Sequence, residues 1–167
     1  MASKAATHIT TIVMSQNLCQ LNVHFVFAVK GRESLIEEAY RIPVEKYITA
    51  VIQRRKHRVW AIYCMPDHLH ILVGKRPHQS ESDLVRDIKS NSSSFINSQG
   101  WLEGRFAWQR GFAAFSCSDS HLKRAIPYIL NQAAHHQMQK FRQEFEGMLQ
   151  LAGLEADPKD MFEWIDD

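Results

Sequence analysis

Two apolar runs separated by a single tight turn constrain this chain most. Arg58 to Met65 reads as one strand and Asp67 to Lys75 as the next, with Pro66-Asp67 turning between them. Proline pre-sets one backbone angle and aspartate tolerates a sharp bend, so the two strands fold back as a hairpin. A lone hairpin is marginal in water and needs further strands or helices over its apolar face. The rest of the chain supplies them. From Leu18 to Lys30 the pattern alternates, with Leu21, Val23, Phe25, Phe27 and Val29 on one face, which predicts a first strand. Pro43 suits the first turn of a helix carrying Val44, Tyr47, Ile48, Val51 and Ile52. Ser82 or Asp83 is placed to cap a second helix with Leu84, Val85, Ile88, Phe95 and Ile96. A glycine-containing loop at 100–104 precedes a fourth strand, Phe112 to Ser118. Ser118 or Asp119 then caps a third helix reaching about Gln137. Phe141, Phe145, Met148 and Leu149 mark a last amphipathic helix, followed by a tail with Trp164.

The order β-α-β-β-α-β-α predicts an α+β fold: a ferredoxin-like split βαβ antiparallel sheet with two helices on one face. The other face is free for a site, beneath the C-terminal helix that bears Tyr128. At 167 residues the chain is long enough for one self-sufficient core. We expect one domain over 14–150, a poorly ordered leader over 1–13 with Met14 as an alternative start, and a tail over 151–167. No run approaches the roughly 20 apolar residues of a membrane span. The opening residues also lack the basic start and long apolar stretch of a secretory signal. Cytoplasmic location and no membrane partner are therefore expected. Cys19, Cys64 and Cys117 are odd in number, lack a C-x-x-C pattern and fall in predicted strands, as buried reduced thiols do. The net charge of +2 does not by itself indicate a polyanionic partner, so any such contact must rest on local charge.

Residues two apart on a strand point the same way, so His68 and His70 share one face while Leu69, Ile71 and Val73 enter the core from the other. Two imidazoles on a stiff strand suit a divalent cation; two surface histidines on a solvated hairpin fit the motif as well. Asp67 falls on the opposite face, as a turn residue or a group behind the ligands. Tyr128 and Gln132, four apart, stack on one helical face, with His135 and His136 a turn further on. Gln132 offers a neutral oxygen suited to Mg2+ or Mn2+. A phenol near a metal-polarised phosphate is a nucleophile for phosphodiester cleavage, although a free phenol ionises only near pH 10. Pro127 directly before Tyr128 predicts a kink or a restarted helix there. His24 points away from the buried face of its strand, toward the metal or a DNA path, or is a satisfied sheet histidine. His136 aligns with Tyr128 better than His135 does.

Arg54, Arg55, Lys56 and Arg58 cluster at the end of the first helix, as a solvated helix end or a phosphate-contacting surface. Lys89 and Ser90 open an unusually polar helix stretch. Trp108 beside Arg110 suits stacking on a single-stranded base, and Trp108 equally suits a core plug.

The chain resembles the single-tyrosine HUH transposases of small bacterial and archaeal insertion sequences, from about Met14 to Leu149. The resemblance rests on Val23-His24-Phe25-Val26-Phe27-Ala28-Val29-Lys30 with Gly31-Arg32, and on Met65-Pro66-Asp67-His68-Leu69-His70-Ile71-Leu72-Val73. It continues through Ile88-Lys89-Ser90, Trp108-Gln109-Arg110-Gly111-Phe112, Ala114-Phe115-Ser116 and Tyr128-Ile129 with Asn131-Gln132 and His135-His136. It implies His68, His70 and Gln132 as ligands of Mg2+ or Mn2+ and Tyr128 as the nucleophile. It further implies cleavage of single-stranded DNA with hairpin ends through a 5′-phosphotyrosine, by a homodimer whose tyrosine helix can complete the partner's site. Three rivals remain: a replication or conjugation nicking enzyme with the same constellation, a ferredoxin-like single-stranded nucleic-acid binder, and a descendant that binds DNA without moving it.

Overall fold

A computed structural model describes residues 18–155. The elements are β1 (Leu21–Ala28), α1 (Glu38–Arg54), β2 (Arg58–Cys64), β3 (His68–Lys75), α2 (Glu81–Ser98), β4 (Ala113–Cys117), α3 (Asp119–Leu130), α4 (Gln132–His136) and α5 (Phe141–Leu151). The strands form one sheet in the order β2-β3-β1-β4, with every pairing antiparallel. This is the split βαβ arrangement expected from the sequence. The leader at 1–13 and Trp164 of the tail lie outside the described residues.

The sheet is covered on both faces. Phe25, Phe27, Val29, Leu69, Ile71 and Val73 pack against Val44, Ile48 and Ile52 of α1 and Leu84, Val85 and Ile88 of α2. On the reverse face, Val26, Ala28 and Ala113 meet Phe141, Phe145 and Leu149 of α5. Ala61 and Leu72 there meet Leu122 and Ile129 of α3. The central strand β3 is thus buried on both sides, and its alternate residues serve two interiors.

Several local expectations are corrected. Helix α1 begins at Glu38, so Pro43 lies within it rather than in its first turn. The turns before Pro43 are held by Arg41, which bridges Glu38 and Glu45 at 2.7 and 3.2 Å. Ser80, not Ser82 or Asp83, caps α2: its hydroxyl accepts from the Asp83 amide at 3.1 Å. Cys19 is exposed and precedes β1, Cys117 is half-buried, and only Cys64 is the buried thiol expected of all three. Most consequential is α3. It runs unbroken through Pro127 to Leu130, and the interruption falls at Asn131, with φ −101° and ψ 18°. Pro127 is exposed, and so is Lys123, whose carbonyl the proline cannot partner, so solvent accommodates what would break a buried helix.

Candidate functional site

Strand β3 delivers His68 and His70 to the reverse face of the sheet, where α3, α4 and α5 cover them; they are 1% and 0% exposed. The alternative of two solvated surface histidines is therefore excluded. Each ring is held from behind. His68 Nδ1 lies 2.7 Å from Asp67 Oδ1, and Asp67 is in turn paired with Arg32. A positive φ of 66° at Gly31 makes the single 3-10 turn that brings Arg32 back to that carboxylate. Burial works against ionisation of Asp67, but His68 and Arg32 outweigh it and hold the carboxyl at about 2. His70 Nδ1 lies 3.1 Å from His24 Nε2. Burial, only partly opposed by Glu144, pushes His24 down to about 4, so it stays neutral and shares one hydrogen bond with His70. Burial likewise depresses His68 and His70. With the Nδ1 atoms engaged, both Nε2 atoms are left facing the same interior.

The end of α3 and the start of α4 bring Tyr128 and Gln132 to that interior despite the break at Asn131. The Tyr128 hydroxyl donates to Glu144 Oε1, and Gln132 Nε2 donates to the same oxygen at 2.9 Å. Burial, then the Glu144 carboxylate, hold the phenol well above its ordinary pKa. His136 packs edge-on to His68, with ring centroids 4.8 Å apart, and its Nε2 lies 2.9 Å from Glu144 Oε2. Phe141 closes the site by stacking on His68 at 3.8 Å.

Glu144 was not singled out in the sequence. It lies three residues after Phe141, one before Phe145 and four before Met148, hence on the apolar stripe of an amphipathic helix. A carboxylate on that stripe is the signal that would have found it. Burial opposes its charge, yet His136, His70, Tyr128 and Gln132 hold it well below the ordinary carboxylate range.

Three buried polar atoms here, His68 Nε2, His70 Nε2 and Gln132 Oε1, have no hydrogen-bond partner, and His136 Nε2 and Glu144 Oε2 have none but each other. Each such group costs about 1–3 kcal/mol, and the sum rivals the whole stability of a domain. Stability alone does not account for such a nest. Donor atoms of His68, His70, His136 and Glu144 all lie within 4.8 Å of one another. Ligands on opposite sides of a nitrogen- and oxygen-bound divalent ion are about 4.3 Å apart, so the nest has the size and donor set to take one.

A family model described as IS200-like transposase matches residues 17–132, which include both histidines of β3, Tyr128 and Gln132. The chain belongs to the IS200-like transposases. Among curated relatives, the ISDra2 transposase TnpA of Deinococcus radiodurans is 22% identical over 118 residues, covering 68% of this chain and 84% of that protein. The fold of this transposase matches the crystal structure of a candidate transposase from D. radiodurans R1 with a TM-score of 0.57 at 21% identity, covering 71% of this chain and 95% of that one. It also matches a REP-associated tyrosine transposase bound to a REP hairpin, with a TM-score of 0.54 at 18% identity and coverage of 92% and 93%.

The other residues singled out in the sequence scatter. Trp108 is the core plug: it is 8% exposed, with its ring edge-on to Phe27 and Phe106 and its Nε1 donating to Ser92 at 2.9 Å. That packing does not suit it to stack on a base. Lys89 donates to the carbonyls of Gln109, at 2.8 Å, and Gly111, and so fastens the 109–111 loop. Ser90 and Arg110 are exposed and line a groove of about 780 Å³ between α2 and that loop, with Lys30, Arg86 and Arg105. Arg54, Arg55, Lys56 and Arg58 are exposed around the start of β2; Arg55 pairs with Asp87 at 3.0 Å and Arg58 lies over Trp60. Among the described residues no helix is long and apolar enough to cross a membrane.

Proposed function

We propose that this transposase cleaves and rejoins single-stranded DNA at the ends of a mobile element, with Tyr128 as nucleophile and a divalent ion, Mg2+ or Mn2+, held by His68, His70 and Gln132. The observation that carries the reading is the convergence of unpartnered buried donors from β3 and α4 beside one tyrosine hydroxyl of the same chain. When bound, the ion would polarise a nonbridging phosphate oxygen and neutralise its developing charge. The remaining work falls to side chains. Asp67 and His24 fix the two imidazoles with their Nε2 atoms inward. Gln132 and Glu144 hold the phenol in place. At rest Tyr128 is protonated, and its proton already points at Glu144 Oε1, which receives it as the phenol oxygen bonds to phosphorus. The bond from phosphorus to the 3′ oxygen breaks, and that oxygen takes up a proton, from the Glu144 carboxyl or from solvent, leaving a free 3′-hydroxyl and a 5′-phosphotyrosine. A 3′-hydroxyl attacking that phosphotyrosine reverses the step without ATP.

We assign the DNA backbone to the groove beside α2, where Ser90, Arg105 and Arg110 offer hydroxyl and guanidinium donors to phosphates. Arg54, Lys56 and Arg58 offer a second basic surface. Tyr128 meets histidines of its own chain, which favours a site completed in cis even within a homodimer.

Incubation with single-stranded DNA bearing element ends and Mg2+ or Mn2+ should yield a denaturation-resistant protein–DNA adduct. Tyr128→Phe should lower adduct formation at least about 1,000-fold while leaving DNA affinity within about twofold. An adduct that survives this substitution, or forms equally well in a chelator, contradicts the reading.

A further inference from the structure

The family match ends at Gln132, yet two groups aimed into the nest come from beyond it, His136 at the end of α4 and Glu144 on α5. Glu144 is a carboxylate 2% exposed whose contacts are phenol, carboxamide and imidazole groups. Among the described residues no lysine or arginine pairs with it. A buried carboxylate with no cationic side chain beside it is costly, and only imidazole, phenol and amide groups are there to offset it. The two carboxylate oxygens are also used differently. Oε1 takes the Tyr128 hydroxyl and the Gln132 amide. Oε2 faces two imidazoles instead, 2.9 Å from His136 Nε2 and 3.6 Å from His70 Nε2. Two imidazole nitrogens converging on one carboxylate oxygen in a buried site are the pattern of a coordination sphere.

We propose that Glu144 bridges ion and nucleophile: Oε2, with His136 Nε2, joins the His68 and His70 imidazoles around the divalent ion, while Oε1 holds the Tyr128 hydroxyl one carboxylate away. Helix α5 is thus part of the metal site. The charged oxygen suits a hard cation, which two imidazoles and an amide alone do not select. The bridge also keeps the phenol beside the ion before DNA arrives. This inference rests on the divalent-ion site proposed above.

The test is Mn2+ binding to the full chain without DNA, read by the electron paramagnetic resonance of free Mn2+, with thermal unfolding in chelator as a check of fold. His68→Ala should abolish tight binding. Glu144→Gln keeps the shape and loses the charge, and should weaken Mn2+ at least about 100-fold, above what loss of an outer partner does. If H68A abolishes binding and E144Q stays within about threefold of wild type, the bridge is overturned and the two-histidine site stands. If neither change matters, the ion site itself is wrong. Should E144Q not fold, E144D keeps the charge on a shorter stem and should bind about tenfold more weakly; unchanged affinity overturns the proposal.

Discussion

At the scale of single residues, the site depends on groups that never reach the substrate. In the proposed site His68 can bind the ion through Nε2 only while its proton sits on Nδ1, and Asp67, tethered by Arg32, is placed to hold it there. Replacing Asp67 by Asn keeps the shape but removes the charge that favours the donor tautomer. Mn2+ affinity should then fall roughly 10- to 100-fold, measured by titration calorimetry, with little change in DNA binding. Affinity equal to wild type would mean that the carboxylate only fastens the turn. The histidine pair was legible because strand alternation decides which side chains share a face. Asp67 was legible only as a turn residue or a group behind the ligands, since its role depends on a guanidinium 35 positions away. Trp108 was ambiguous for a related reason. An aromatic beside an arginine has the same composition whether it faces a base or a core, and burial alone separates the two.

At the scale of elements, the sheet was the readable part. Period-two patterning and one tight turn specify β1, β2 and β3, and antiparallel pairing follows from their order. Helix boundaries were less readable, because caps and ion pairs override the local weight of proline. Pro43 lies inside a helix it was expected to open, and Pro127 inside one it was expected to kink or restart. Since α3 continues through Pro127, Pro127→Ala restores a backbone donor to an exposed helix and should stabilise the chain. We expect roughly 1 kcal/mol or more, read as a rise in the urea midpoint. Adduct formation should stay within about twofold. A loss of stability would show that the proline instead defines a turn there. The interruption that matters, at Asn131, lets Tyr128 and Gln132 approach Glu144 from two short helices, and nothing in local sequence marks it.

At the scale of the whole molecule, a sheet with helices on both faces separates two tasks. The groove beside α2 opens on one face, and the nest of imidazoles lies on the other under α3, α4 and α5, where Tyr128 and Glu144 line a pocket of about 580 Å³. Burying neutral imidazoles couples that nest to stability. His24, at about 4, and His68 and His70, also depressed, stay neutral in the fold, whereas in the unfolded chain they take protons near pH 6.5. The unfolded state therefore binds more protons between about pH 6.5 and 4, and stability falls as pH is lowered through that window. Calorimetry in chelator should show Tm dropping on the order of 5 °C or more from pH 7 to 4.5. A flat Tm would mean that the imidazoles are solvated. In the proposed site one chain's β3 histidines and Gln132 hold a divalent ion beside that same chain's Tyr128. An anomalous difference map from crystals grown with Mn2+ tests it most directly. One dominant peak should lie at bonding distance, about 2.2 Å, from both His68 Nε2 and His70 Nε2, with Tyr128 of the same chain lining the site. A nest left without the ion while Mn2+ binds elsewhere, or a peak completed only by a second chain's tyrosine, would contradict it.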